Sequence, residues 1–318
     1  MNDLGKIVIQ MKMKNHVYYL CVLAIVSLLF SCGENKKTAT DEKPYIITTT
    51  GMIADIVENI AGDAAKVEAI MQPGVDPHLY KASQGDLKKI MDADYIFYNG
   101  LHLEGKMGEI LEKQTHVKPV IALGDTISRG KIISVSENTY DPHIWFDVAL
   151  WKEAAEIALK NLIRLNPENT AYYQQNADKY LKELDSLDHW VKAEIETIPE
   201  NRRVLITAHD AFSYFGKAYG IEVRGLQGIS TMSEIGLRDV TDLVDFILKN
   251  DIPAVFVESS VSDKSLKAVV EGVNNKGKKL AIGGNLFSDA MGKKGTPEGT
   301  YIGMVKHNVT TIVTALKQ

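Results

Sequence analysis

Histidine follows Asp-Pro twice in this chain, in GVDPHLY (residues 74–80) and in TYDPHIWFD (residues 139–147). Proline fixes its own φ and pushes the residue before it toward extended geometry. Each histidine therefore sits on a stiff elbow that restricts where its ring can point. Two such elbows among only eight histidines suggest that His78 and His143 are aimed at a common target. Two further positions share their setting. His209 ends the apolar run RVLITAH, and Asp289 follows KLAIGG in NLFSDAMG. These residues fall in the connections around expected strand ends, where ligands gather in open α/β sheets. His102, in NGLHLEG, has the same topology and is a rival.

Three imidazoles and one carboxylate suit a transition-metal dication. Neutral imidazole donates a lone pair to zinc, manganese or iron, and the carboxylate offsets part of the charge. The second ring nitrogen of each histidine then needs an acceptor to fix its tautomer. The spacing matches no compact metal motif, since neither HExxH nor CxxC is present. Other chemistry fails on inspection. GVNNKGKK (272–279) has the glycines of a phosphate loop, but Lys279 stands where a magnesium-binding Ser or Thr is needed, and the stretch closes a helix instead of opening one. There is no GxSxG nucleophile elbow and no dinucleotide-binding glycine fingerprint. His116, His189 and His307 read as structural or solvated.

The elements that must position these residues alternate strand and helix, the α/β pattern. Strands are predicted at residues 45–50, 66–71, 95–100 and 117–123, then at 203–208, 221–226, 253–259 and 279–284. Helices are predicted at 52–62, 83–94 and 103–113 in the first half, with another starting near Asp147. The second half has helices at 211–220, 233–250, 262–273 and 301–317. Similar grammar in two halves implies two lobes built alike. Between them, apolar residues recur at Tyr173, Ala177, Tyr180, Leu184, Leu187, Val191, Ile195 and Ile198, one face of a helix. Pro167 suits its first turn and Pro199 stops its far end. A rod of about 46 Å results at ~1.5 Å per residue, stiff enough to let lobes shift slightly without swinging. Two facing lobes would bring His78 and His143 from one half against His209 and Asp289 from the other.

Composition sets the outer limits. The 318 residues are 45% hydrophobic and 24% charged, with a net charge of −5, which gives no electrostatic reason to expect nucleic acid. At the N-terminus, Lys12 and Lys14 precede the apolar run Val17–Phe30, which ends in SCGENKK. That is an export signal, shorter than the ~20 residues of a membrane span. The initiator is open among Met1, Met11 and Met13. LFSC resembles a bacterial lipobox and implies lipidation of Cys32 after cleavage. Cys21 lies inside the discarded run, so the mature chain forms no internal disulfide. Residues 33–43 are polar and read as a flexible tether.

Taken in order behind that lipobox, QPGVDPHLY, DPHIWFDV, TAHDAFSYFGKAYGI and LFSDAMG resemble the solute-binding lipoproteins of bacterial zinc/manganese ABC importers. The resemblance covers essentially the whole mature chain. It implies an α/β fold of two Rossmann-like lobes joined by one long rigid helix, with a metal site at the lobe interface. Its ligand positions fall on His78, His143, His209 and Asp289, which demotes His102. The cargo implied is Zn2+ or Mn2+, with Fe2+ as a third candidate. Manganese-dedicated members often carry Glu where this chain has His209, which leans toward zinc. The His-rich loop of many zinc-dedicated members is absent, because residues 103–142 hold only His116.

The organisation that follows is a lipoprotein signal at 1–31, a tether at 32–43, an N-terminal lobe at 44–165, a linking helix at 166–199 and a C-terminal lobe at 200–318. The partners implied are an ABC permease with its cytoplasmic ATPase and a membrane held through acylated Cys32. Neither nucleic acid nor enzymatic activity is expected, and the protein is expected to be a monomer exported to the periplasm or cell surface. Two other readings use the same residues: a metal-binding adhesin or structural lipoprotein, and a zinc hydrolase. For the hydrolase, Glu258 in VFVESS is the strand-end candidate for a general base.

Overall fold

Burial on both faces explains why such short apolar runs form strands here. In β1 (Tyr45–Thr48), Ile46, Ile47 and Thr48 are all fully buried, as expected for parallel sheets covered by helices. With β2 (Lys66–Ala69), β3 (Tyr95–Tyr98) and β4 (Val120–Ala122), it forms a parallel sheet of order β2-β1-β3-β4. The second half contains β7 (Val204–His209), β8 (Glu222–Gln227), β9 (Ala254–Glu258) and β10 (Ala281–Leu286), in the parallel order β10-β9-β7-β8. Each sheet places its first strand between its second and third. The direction of travel therefore reverses between β1 and β3 and between β7 and β9, which makes a ligand crevice at each carboxyl edge. The computed structural model describes residues 43–317. The export signal, Cys32, the alternative start residues and the rest of the tether lie outside the described residues.

The first lobe carries α1 (Gly51–Ala61), α2 (Gln84–Asp92), α3 (Gly108–Thr115) and a short α4 (Leu123–Thr126). The second carries α7 (Ser213–Tyr219), α8 (Leu237–Lys249), α9 (Lys264–Asn275) and α10 (Tyr301–Leu316). Between the sheets run an antiparallel hairpin of β5 (Ser134–Ser136) and β6 (Thr139–Tyr140), then α5 (Val148–Leu165) and α6 (Thr170–Glu196). The side chain of Asp147 caps α5 by accepting from the Leu150 amide at 3.0 Å. Within α6, every apolar residue of the predicted stripe is buried, and Ile198 just beyond it is buried too.

The helix has 27 residues, about 40 Å at ~1.5 Å each. It is shorter than the sequence pattern suggested because Pro167–Asn169 is a separate 3-10 turn. Its apolar face lies in a core shared by both halves, with Ile53 and Val57 from α1, Trp151 and Ala155 from α5, Tyr214 from α7 and Tyr301 and Val309 from α10. Asp55 ties three of these helices: it accepts from the Tyr180 hydroxyl at 2.8 Å and the Tyr301 amide at 3.1 Å. Burial pushes its pKa up to about 6, against the pull of those bonds. Each sheet has a smaller cluster of its own, around Ile47, Ile96 and Leu111 in the first and Ile206, Val244 and Val269 in the second.

The largest departure from the predicted elements is the helix expected at 103–113, which starts only at Gly108. Gly100, Leu101 and His102 all have left-handed φ, at 78°, 54° and 64°, an arrangement side chains adopt rarely and at a cost. Glu104 holds that turn. Its buried carboxylate accepts from the Asn99 and Gly100 amides at 2.8 and 3.2 Å and from the Thr49 hydroxyl at 2.6 Å. Beyond it, the strand predicted at 117–123 shortens to Val120–Ala122.

Candidate metal centre

The first elbow leaves β2 through Gly74, which turns the chain at a φ of 77°. Asp76 then caps the elbow, its Oδ1 accepting from the His78 amide at 2.8 Å. This is the local bond that aspartate forms readily with the backbone two residues on. The second elbow repeats the cap, with Asp141 Oδ1 accepting from the His143 amide at 2.9 Å. Here the same oxygen also accepts from the His143 ring at Nδ1, 2.7 Å away. Three neighbours brace this elbow. Asn99 donates to the Pro142 carbonyl at 2.9 Å, the Tyr214 hydroxyl donates to the Asp141 carbonyl at 2.9 Å, and the Trp145 ring stands edge-on to His143 at 5.2 Å.

The second lobe contributes from its own strand ends. His209 is the last residue of β7, beside the crevice with β9, and Glu258 is the last residue of β9. Glu258 accepts from the His209 amide at 2.8 Å and from its Nδ1 at 2.5 Å. Asp289 lies in the loop beyond β10. Its neighbour Ser288 accepts from Trp145 Nε1 at 3.0 Å, which fastens this loop to the segment that follows His143.

These four side chains converge. The carboxylates of Asp141 and Glu258 accept only, so Nδ1 of each paired imidazole carries the proton and Nε2 faces inward. His78 and His143 approach Nε2 to Nε2 at 3.3 Å. Asp289 lies 3.3 Å from His209 Nε2, 3.5 Å from His143 Nε2 and 3.8 Å from His78 Nε2. One potential donor atom from each residue lies within 4.8 Å of all the others. Four tetrahedral donors at the ~2.0–2.1 Å zinc–nitrogen distance would stand about 3.3–3.4 Å apart, close to the shorter of these separations. His209 Nε2 and both Asp289 oxygens are buried with no hydrogen-bond partner. Orphaned buried polar atoms are rare and need an explanation; these three face one another and form a donor set that could hold a cation.

Charge within the cluster separates the imidazoles. Burial lowers the His78 pKa to about 4, with the neighbouring imidazoles adding to burial and Asp289 opposing it. Burial would depress His209 as well, but Asp289 and Glu258 outweigh it and hold His209 well above the usual imidazole range. Burial alone would raise Asp289. The three imidazoles, His209 foremost, instead hold it well below the usual carboxylate range.

His102 is exposed on the left-handed turn, away from the cluster. His116 caps the end of α3, the His189 ring meets the Asp185 carbonyl of its own helix, and His307 meets the Asn285 carbonyl. Glu258 is buried and engaged twice by His209, which commits it to orienting an imidazole instead of activating water. Glu104 occupies the matching crevice of the first lobe, where it braces the backbone. The ring acceptors Asp141 and Glu258 were not identified from sequence. The need for acceptors was legible, and the aspartate two residues before His143 was the available signal. For Glu258 no local signal exists, because the bond spans two strands.

The family described as the zinc-uptake complex component A periplasmic protein (ZnuA) matches residues 46–315. The chain is 50% identical over 298 residues to the manganese-binding lipoprotein MntA of Bacillus subtilis, covering 93% of this chain and 97% of that one. It is 47% identical over 298 residues to the zinc-binding protein TroA of Treponema pallidum, with the same coverage of both chains. The solved structure of the periplasmic zinc-binding protein TroA from Treponema pallidum superposes with a TM-score of 0.85 at 48% identity, covering 87% of this chain and all of that one. The two-lobed α/β architecture is thus shared, and with it the role: this chain belongs to the ZnuA family, the solute-binding components of ABC metal importers, and is not an enzyme.

Proposed function

We propose that His78, His143, His209 and Asp289 hold one transition-metal dication as cargo, Zn2+ or Mn2+, for delivery to the permease of an ABC importer and its ATPase. The observation that supports this most directly is the set of buried, unpartnered atoms on His209 and Asp289 facing the two elbow histidines. A dication would satisfy all of them at once and would replace the proton that His209 otherwise retains. Three nitrogens with one carboxylate give four donors, or five if both Asp289 oxygens bind. Four suit zinc, while hard oxygen donors suit manganese. Relatives named for each metal exist at almost equal identity. Fe2+ is compatible with the same donors.

The organisation we propose around this site is a lipoprotein signal at 1–31, a tether at 32–43 anchored through acylated Cys32, a lobe at 44–165, the linking helix at 166–199 and a lobe at 200–318. The protein acts as a monomer, exported and held on a bacterial membrane; relatives named as lipoproteins support the export and anchoring. The test is calorimetric titration of the metal-free protein with zinc and, separately, manganese. One ion per chain is expected, with binding abolished when all three histidines are replaced. A stoichiometry of zero, or binding indifferent to that triple substitution, would refute the assignment.

A further inference from the structure

Ligands contributed by two lobes must be held in register across the gap, and the fastenings of the two elbows are unequal. The His143 elbow is bound to the second lobe through Tyr214 and, by way of Trp145, through Ser288. For the 72–80 segment that carries His78, the hydrogen bond reaching the second lobe among the described residues is a single one. The Thr231 hydroxyl donates to Asp76 Oδ2 at 2.6 Å. The other oxygen of that carboxylate caps the His78 amide at 2.8 Å.

Thr231 is itself fixed from behind. Gln227 ends β8 in register with His209, and its carbonyl accepts from the Asp210 amide at 3.0 Å. Its side-chain amide donates to the Thr231 carbonyl at 2.8 Å and the Ser233 carbonyl at 2.5 Å. A turn from Ser230 to Ser233, closed by a 3.0 Å backbone bond, presents the hydroxyl. A continuous relay therefore runs from the strand pair carrying His209, through Gln227 and Thr231, to Asp76 and His78.

We propose that Thr231 is a positioning residue for metal retention: through Asp76 it holds the His78 elbow against the second lobe and so slows the departure of His78 from the bound ion. The inference rests on the proposed metal site and adds residues that touch no ligand atom. The physical ground is linkage. An interaction formed only in the closed arrangement adds to the affinity of that arrangement, and a hydroxyl donating to a carboxylate is among the stronger single bonds. Its loss should speed release without altering which atoms coordinate the ion.

The test is Thr231→Val, which keeps the shape and removes the donor, compared with Thr231→Ser, which restores it. Zinc release is followed by stopped flow into excess chelator, and coordination by the visible absorption of the cobalt-substituted protein. Thr231→Val is expected to release zinc about tenfold faster, with the saturated cobalt spectrum and the unfolding temperature of the metal-free protein unchanged. Thr231→Ser should return to the wild-type rate. In an Asp76→Ala background, Thr231→Val should add nothing further. Release within twofold of wild type, a serine variant as fast as valine, or additive effects with Asp76→Ala would each overturn the proposal. Wild-type protein that binds neither zinc nor manganese would instead overturn the metal site on which it rests.

Discussion

The two Asp-Pro-His elbows begin alike and end differently. Both use an aspartate to cap the histidine amide, at 2.8 and 2.9 Å. Asp141 then turns back on the His143 ring, while Asp76 turns outward to Thr231 on the other lobe. The first arrangement builds one fixed ligand. The second commits its spare oxygen to the partner lobe, leaving ring Nδ1 of His78 without an aspartate of its own. Burial differs little, since His143 is fully buried and His78 is 3% exposed. The difference lies in what each carboxylate does with its remaining valence. If both histidines hold the proposed ion, the self-braced elbow would be the fixed one and the elbow tied to the other lobe the one able to move when that bond breaks.

The largest effect that would sharpen this contrast comes from the fixed elbow. His143→Ala should weaken zinc binding by at least about a hundredfold, ~2.7 kcal/mol, with the fold intact by circular dichroism; titration with a competing chelator reads it directly. Unchanged affinity would remove His143 from the site. Asp141→Ala should follow, at about 10–100-fold, the usual cost of losing an acceptor behind a ligand histidine. If Asp76→Ala weakened equilibrium affinity more than Asp141→Ala does, the assignment of fixed and movable elbows would be reversed.

Proton competition separates the ligands next. The His209 pKa is raised by Asp289 and Glu258 over the opposing effect of burial, so at neutral pH this imidazole holds a proton that metal must displace. His78, lowered to about 4, has none to lose there. Zinc binding at neutral pH should therefore release a proton, and apparent affinity should fall as pH is lowered. Calorimetry in two buffers of different ionisation enthalpy counts that proton, and a release of zero would break the assignment. The stability of the metal-free protein follows the same pair with opposite signs. A raised histidine contributes stability that is complete below the unfolded value and lost as pH rises through the folded one. A lowered histidine costs stability as pH falls from ~6.5 toward the folded value of about 4. His78→Gln should flatten the acid-side loss of thermal stability.

The smallest effect is a control. Lys294 reaches from the segment after Asp289 to Glu58 on α1 at 2.7 Å, with the lysine 82% exposed. An exposed pair of this kind contributes roughly 0–1 kcal/mol, so Lys294→Ala should change zinc release less than twofold. A change as large as that expected of Thr231→Val would show that any contact across the lobes matters equally and would remove the distinction drawn for the first elbow.

The strands, most helices and the buried stripe of α6 were legible because period and burial are written locally: Tyr173, Ala177 and Tyr180 share a face whatever lies opposite. The turn at 100–102 was not. Its left-handed residues are stabilised by Glu104 accepting bonds from Thr49 and from the backbone, and no short window of sequence contains both partners. The short helix α4 and the hairpin that delivers Asp141 were hidden for a similar reason, as few residues define them and neighbours set their geometry.

By itself, then, the sequence determined the residue types at the centre, the stiffness of the two elbows and the alternation that places His209 at a strand end, since each depends on neighbours in the chain. Tertiary structure alone decided that Glu258 would orient His209, that Asp141 and Asp76 would use identical caps to different ends, and that Thr231 would meet Asp76 from 155 residues away. Those outcomes depend on how two separately built sheets face one another. A hydrogen bond between lobes is specified by the packing of both and written in the local pattern of neither.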